Sequence, residues 1–96
     1  MQISIRYFTT LREITNKKEE KLTLPENQKP TIALTLKMLA DRYGKPFTDY
    51  IFDPEGNVKK HLQILLNGTN TTTRNIQETP LQEGSNLAIL PPVSGG

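Results

Sequence analysis

The sequence predicts an α+β domain: an antiparallel or mixed sheet covered on one face by one main helix. Three observations predict it. Apolar residues alternate with period two near both ends, one stretch between them repeats with helical period, and the chain has only 96 residues. Alternation marks strands with one buried face, whereas recurrence at three and four marks an amphipathic helix. A chain of this size buries about 65% of its unfolded surface, enough for one two-layer core. That excludes two full domains, a TIM barrel and a doubly wound dinucleotide fold.

Ile3, Ile5 and Tyr7 alternate with Gln2, Ser4 and Arg6 to give a first strand, and Phe8 falls on its outward parity. Thr9 to Ile14 reads as a short helical turn that tucks Leu11 and Ile14 inward. The mixed run Lys17-Lys18-Glu19-Glu20-Lys21 reads as solvated surface, with Asn16 to Glu20 as a charged turn. Leu22 and Leu24 alternate into a second strand that Pro25 stops. Thr31 is placed to cap a helix, because its hydroxyl can accept from an early helical N–H. Ile32, Leu36, Leu39, Ala40 and Tyr43 then form one helical face. Gly44 sits where a left-handed C-terminal cap belongs, and Pro46 forbids continuation of that helix. Phe47 to Phe52 reads as irregular chain or a single helical turn, and Asp53-Pro54-Glu55-Gly56-Asn57 as a turn. Leu62, Ile64 and Leu66 alternate with His61, Gln63 and Leu65. Asn67-Gly68 predicts a type I′ hairpin turn, with Thr69 to Thr73 returning as an edge strand. Pro80 to Gly84 reads as a turn, and Leu87 and Ile89 mark the last strand. One helix covers one face of such a sheet and leaves the other polar or adhesive.

Composition narrows the function. Hydrophobic residues make up 34% and charged ones 23%, the remaining polarity being Thr, Asn and Gln, so the chain is not disordered. The net charge is +2, and the twelve basic residues all lie within residues 1–74, leaving only Glu78 and Glu83 in residues 75–96. No basic stripe interleaved with aromatics is present, so no nucleic-acid partner is expected. Zero cysteines exclude disulfides, thiol nucleophiles and thiolate metal sites. His61, read as a surface strand residue, is the single histidine, too little for a metal centre or a Ser-His-Asp triad. MQISIRYFTT has no signal-peptide apolar core, and the apolar runs at Ile64 to Leu66 and Leu87 to Leu90 are far short of a membrane span. The expectation is a cytoplasmic protein without membrane contact.

The last segment carries the chemistry. Pro91 and Pro92 follow the final strand and favour an extended polyproline conformation, so residues 91–96 are expected to project as a tail. At ~3.1 Å per residue, six residues reach about 19 Å. Gly95 and Gly96 lack a Cβ, so their backbone can enter a slot that any side chain would block. Glycine-rich ends are common, and the pair alone says little; behind Val93 and Ser94 on a proline stalk it says more. A carboxylate resists nucleophiles until an oxygen becomes a leaving group. Attack of the Gly96 carboxylate on the α-phosphate of ATP makes an acyl-adenylate, from which sulfur or an amine displaces AMP. No phosphate loop or catalytic pair is present to perform this. The chain is therefore expected to be the protein substrate of an activating enzyme that uses ATP, not an enzyme, and to bind no cofactor of its own.

Three segments resemble one family: Phe8-Thr9-Thr10-Leu11-Arg12-Glu13-Ile14, Leu66-Asn67-Gly68, and Leu81-Gln82-Glu83-Gly84 through Leu87-Ala88-Ile89-Leu90-Pro91-Pro92-Val93-Ser94-Gly95-Gly96. Together they are similar to the MoaD/ThiS group of β-grasp, ubiquitin-like sulfur carriers, MoaD above all, in order along nearly the whole chain. The LPPVSGG ending is the specific part. The resemblance implies a β-grasp domain over residues 1–90 and a tail over residues 91–96. It implies adenylation at Gly96 by a ubiquitin-activating-type, MoeB-like adenylyltransferase, then conversion to a thiocarboxylate. As a molybdopterin synthase small subunit, such a chain inserts its tail into a MoaE-like subunit and delivers sulfur to a cyclic pyranopterin precursor. Gly95 is then the slim residue before the reacting one. Phe8, Arg12, Leu65 and Leu90 are the candidate partner contacts, Phe8, Leu65 and Leu90 because strand parity turns them away from the helix. Archaeal relatives of MoaD and the eukaryotic ubiquitin-related modifier imply a second reading, a protein modifier joined through Gly96 to lysines of target proteins. The eight lysines of this chain make chain formation conceivable. The sequence places the sulfur carrier first and the modifier second, and assigns no motif to residues 44–60.

Overall fold

A computed structural model describes residues 1–60, 62–71 and 79–91. Its elements are β1 (Gln2–Tyr7), α1 (Thr10–Thr15), β2 (Glu19–Thr23), α2 (Ile32–Tyr43), α3 (Lys45–Ile51), β3 (Gln63–Leu66), β4 (Thr69–Thr71) and β5 (Asn86–Leu90). The strands form one five-stranded sheet in the order β2-β1-β5-β3-β4. β1 and β5 run parallel at its centre, and the other neighbours are antiparallel. His61, Thr72 and Thr73 lie outside the described residues, so the readings placed on them do too.

Alternation does what it predicts. Ile3, Ile5, Tyr7, Leu22, Ile64, Leu87 and Ile89 all face the helices at 2% exposure or less. They meet Ile32, Leu36 and Leu39 of α2 and Phe47 and Ile51 of α3, all fully buried. Each such side chain stabilises the fold by about 1.5–3 kcal/mol. α1 fills the β1–β2 connection, with Leu11 buried and Ile14 half-buried against the core. Thr31 caps α2, its Oγ1 accepting from the Leu34 N–H at 3.2 Å. Asn67 and Gly68 take φ of 51° and 84°, the two positive values that a type I′ turn demands.

Two local expectations are corrected. Phe47 to Phe52 is neither irregular nor one turn: α3 spans seven residues. Pro46 ends one helix by starting another, since its missing N–H costs nothing in a first turn. Gly44 joins the two helices, its N–H donating to the Ala40 carbonyl at 2.8 Å and its carbonyl accepting from the Thr48 N–H at 3.0 Å. Its φ of 80° is positive, but ψ of −154° is not that of a left-handed cap.

The second correction concerns the charged run. Glu20 is not solvated: its side chain is 6% exposed. It accepts from Tyr7 Oη at 2.7 Å and from the Tyr43 hydroxyl, and pairs with Arg42 Nη1 at 2.8 Å and Lys17 Nζ at 3.7 Å. Burial by itself opposes its charge. Hydrogen bonds from Tyr43 and Tyr7, with the two cations, outweigh that and hold the carboxyl below its ordinary 4.5. Burial, reinforced by Glu20, pushes the Tyr7 hydroxyl far above the usual tyrosine range. This network fastens the start of β2 to the end of α2.

Candidate functional site

Among the described residues, no element covers the face of the sheet away from the helices. Strand register sets Glu19, Arg6, Ala88, Leu65 and Asn70 in one row across all five strands. At the centre of that row Ala88 presents only a methyl group, so the surface dips. Phe8, Leu65 and Leu90 stand around the dip, half-buried, and none belongs to the core cluster. Tyr7 pairs with Ile89, which sets Phe8 level with Leu90. These residues and the polar Ser4, Arg6, Asn67 and Asn86 line a groove of about 540 Å³.

Local chemistry fixes the groove's parts. Asn67 does more than turn the chain: its Oδ1 accepts from the Asn86 N–H at 2.8 Å, and its own N–H donates to the Asn86 carbonyl at 2.8 Å. The first residue of β5 is thereby tied to the β3–β4 turn. Phe8 is aimed by Thr9, whose φ of 45° and ψ of −116° are costly for a β-branched residue. That kink lets Leu11 drop inward while the Phe8 carbonyl accepts from the Leu11 N–H at 3.1 Å. Arg12 Nε donates to the Tyr7 carbonyl at 3.1 Å, and its guanidinium lies 5.5 Å from the centre of the Phe8 ring. Such a cation over an aromatic face contributes about 0.5–1 kcal/mol at an exposed site.

The structure thus brings Phe8, Leu65 and Leu90 together in the groove and leaves Arg12 outside its lining, beside Phe8. Pro91, half-buried, leaves the sheet directly after Leu90 at the groove's apolar end. Pro92, Val93, Ser94, Gly95 and Gly96 lie outside the described residues. Sequence reasoning missed Ala88, Arg6 and Asn86 as groove residues. Their parity was visible, but the register that aligns β5 between β1 and β3 was not. Residues 44–60, which carried no motif, form α3 and a turn in which Asp53 Oδ1 accepts from the N–H groups of Glu55 at 2.9 Å and Asn57 at 3.0 Å. With α2 they line a wider hollow of about 900 Å³ on the helical side. The sheet groove is the candidate because Leu90, the last residue of β5, lines it and Pro91 follows directly.

Among the described residues no three His, Cys, Asp or Glu side chains cluster as metal ligands. No helix there is long and apolar enough to cross a membrane. The groove offers an apolar ring, a cation and polar edges, which suits recognition of a protein surface.

Comparison with known proteins identifies the fold and the family. Small archaeal modifier protein 3 of Haloferax volcanii is 29% identical over 96 residues, covering all of both chains. The solution structure of small archaeal modifier protein 1 from Methanosarcina acetivorans is 31% identical, with a TM-score of 0.73 over 99% of this chain and 96% of that one. The crystal structure of the Haloferax volcanii modifier protein 1 reaches a TM-score of 0.82 at 22% identity, with both chains fully covered. The ThiS family model matches residues 5–96. The mixed sheet is therefore a β-grasp, and the chain belongs to the ThiS family of ubiquitin-like proteins.

Proposed function

We propose that this protein is a ubiquitin-like modifier, attached through the Gly96 carboxylate to lysine amines of target proteins. The observation that carries the reading is the full-length similarity to small archaeal modifier protein 3, which runs through the Gly95-Gly96 pair. It favours the modifier over the sulfur carrier that the LPPVSGG ending alone puts first. In the proposed sequence a ubiquitin-activating-type enzyme docks on the Phe8, Leu65 and Leu90 face. The Gly96 carboxylate oxygen then attacks the α-phosphate of ATP and pyrophosphate leaves. A target lysine amine then displaces AMP directly, or displaces an enzyme thiol that has itself first displaced AMP to form a thioester, and loses a proton as the isopeptide bond forms. ATP belongs to the activating enzyme.

A second reading rests on a specific observation: the Pro91-Pro92-Val93-Ser94-Gly95-Gly96 ending, which is similar to that of MoaD. There sulfur displaces AMP, Gly96 becomes a thiocarboxylate, and a MoaE-like subunit receives the tail. Both readings share the activation step.

The test must avoid a trap. Arg74 is the last basic residue, so trypsin leaves residues 75–96, not a diglycine remnant, on any modified lysine. Tagged wild type and a Ser94→Arg variant are captured from the native cell extract under denaturing conditions. Intact mass and remnant mapping are then read from one preparation. Lysine adducts that bear the remnant and vanish on deletion of Gly95-Gly96 are expected. Oxygen-to-sulfur exchange at Gly96 without adducts makes the protein a dedicated sulfur carrier instead.

A further inference from the structure

β2 is an edge of the sheet, and its pairing with β1 uses only half of its backbone. The Tyr7 N–H donates to the Lys18 carbonyl at 2.8 Å and the Leu24 N–H to the Met1 carbonyl at 2.8 Å. By the antiparallel period, Lys18, Glu20, Leu22 and Leu24 direct their N–H and C=O groups toward β1. Glu19, Lys21 and Thr23 therefore direct theirs away from the sheet.

The flanks of this edge are not neutral. At one end Glu20 is shared by two cations, Arg42 and Lys17, which leaves that corner positive. Lys21 is exposed at mid-strand. On α2, Met38 and Leu34 stand one and two turns before Arg42 on the same stripe and are half-buried. An added strand would thus meet apolar side chains along the stripe and cations at the Glu20 end. A second copy fits poorly: antiparallel β2–β2 pairing centred on Lys21 sets like charges directly opposite, which destabilises a ladder. A lysine on an edge strand guards against such self-pairing, and the same charge attracts an acidic strand.

We propose that the β2 edge is a docking site for an extended segment of a partner protein, apolar for part of its length and acidic at one end. The segment adds a sixth strand by hydrogen bonding to Glu19, Lys21 and Thr23, with its carboxylates beside Lys17, Lys21 and Arg42. The edge opens sideways, whereas the groove around Ala88 opens on the face, so both surfaces are usable at once. The proposal holds whether the tail is conjugated or thiolated.

The test uses the full chain, isotope-labelled for amide resonances, and a synthetic valine- and isoleucine-rich peptide ending in a run of aspartates. Expected are saturable shifts at the Glu19, Lys21 and Thr23 amides and binding that weakens with salt. Lys21→Pro removes an outward N–H that β1 does not use, a place where an edge strand tolerates proline. It should weaken binding at least tenfold; Lys21→Glu, which keeps the backbone intact, should do the same. Three results would overturn the proposal: shifts confined to Phe8, Leu65 and Leu90, equal binding of a lysine-for-aspartate peptide, or no saturation at millimolar peptide. Concentration-dependent β2 shifts without peptide would overturn it in favour of a second copy.

Discussion

The two faces of the sheet are built from the same strands and behave oppositely. On the helical face the central apolar side chains are sealed: Ile5, Tyr7 and Ile89 are fully buried, and Leu36, Leu39 and Phe47 close over them. On the other face Phe8, Leu65 and Leu90 are as large and as apolar, yet stand half-exposed around the methyl group of Ala88. Alternation is therefore a division of labour. The inner set holds the fold, and on the proposed reading the outer set meets the partner that completes its burial.

The largest expected effect tests that division. Ile5→Ala should cost about 2–5 kcal/mol of stability, since it leaves a cavity in a sealed core. Leu65→Ala should cost about 0.5 kcal/mol, because the site is already half-solvated. The order should reverse in function. Leu65→Ala should slow ATP–pyrophosphate exchange by the activating enzyme at least tenfold, as loss of a central apolar contact does at an interface. Urea unfolding gives the first pair of numbers and exchange kinetics the second. Equal destabilisation by both variants would abolish the distinction between the faces.

Much of this division is legible in the sequence, because it follows from parity alone. The strands, the capped helix at Thr31 and the Asn67-Gly68 turn all rest on local rules, and local rules suffice there. Phe8, Leu65 and Leu90 could be assigned outward for the same reason. What local rules do not reach is register. Nothing in residues 86–90 says that β5 inserts between β1 and β3, so Ala88 could not be known as the floor of a groove. Pro46 was legible as a helix stop but equally fits a helix start, and only the burial of Phe47 and Ile51 decides between them. Glu20 was missed despite a usable signal. It shares the even parity of Leu22 and Leu24, and a carboxylate on an inward parity needs partners, here two tyrosines and two cations.

That buried corner is where the inner face is most vulnerable to pH. The folded-state pKa of Glu20 is lowered, so its stabilisation is complete above the ordinary 4.5 and is lost as pH falls through the lower folded value. Glu20→Gln keeps an acceptor for one hydroxyl but removes the charge. It should cost about 1.5–3 kcal/mol at neutral pH, the range for hydrogen bonds to a charged group. Stability should then fall less steeply than wild type below about pH 4.5, as expected for loss of one linked proton. Urea midpoints followed from neutral pH to pH 3 measure both effects. Parallel pH profiles for the two proteins would mean that other carboxylates set the acid limit.

The smallest expected effect lies where the two faces meet. Thr9 is the hinge between the outward Phe8 and the inward Leu11, and its positive φ costs of the order of 1–3 kcal/mol for a β-branched residue. Glycine adopts that conformation freely but loses more chain entropy on folding, about 0.5–1 kcal/mol. Thr9→Gly should therefore stabilise the fold by about 1 kcal/mol or slightly less. The same change frees the backbone that aims Phe8, so activation should slow even as the urea midpoint rises. A variant that gained stability and docked as fast as wild type would show that Phe8 is held by the Arg12 guanidinium over its ring and not by the strained turn. Arg12→Ala in the Thr9→Gly background would then be the change that releases it.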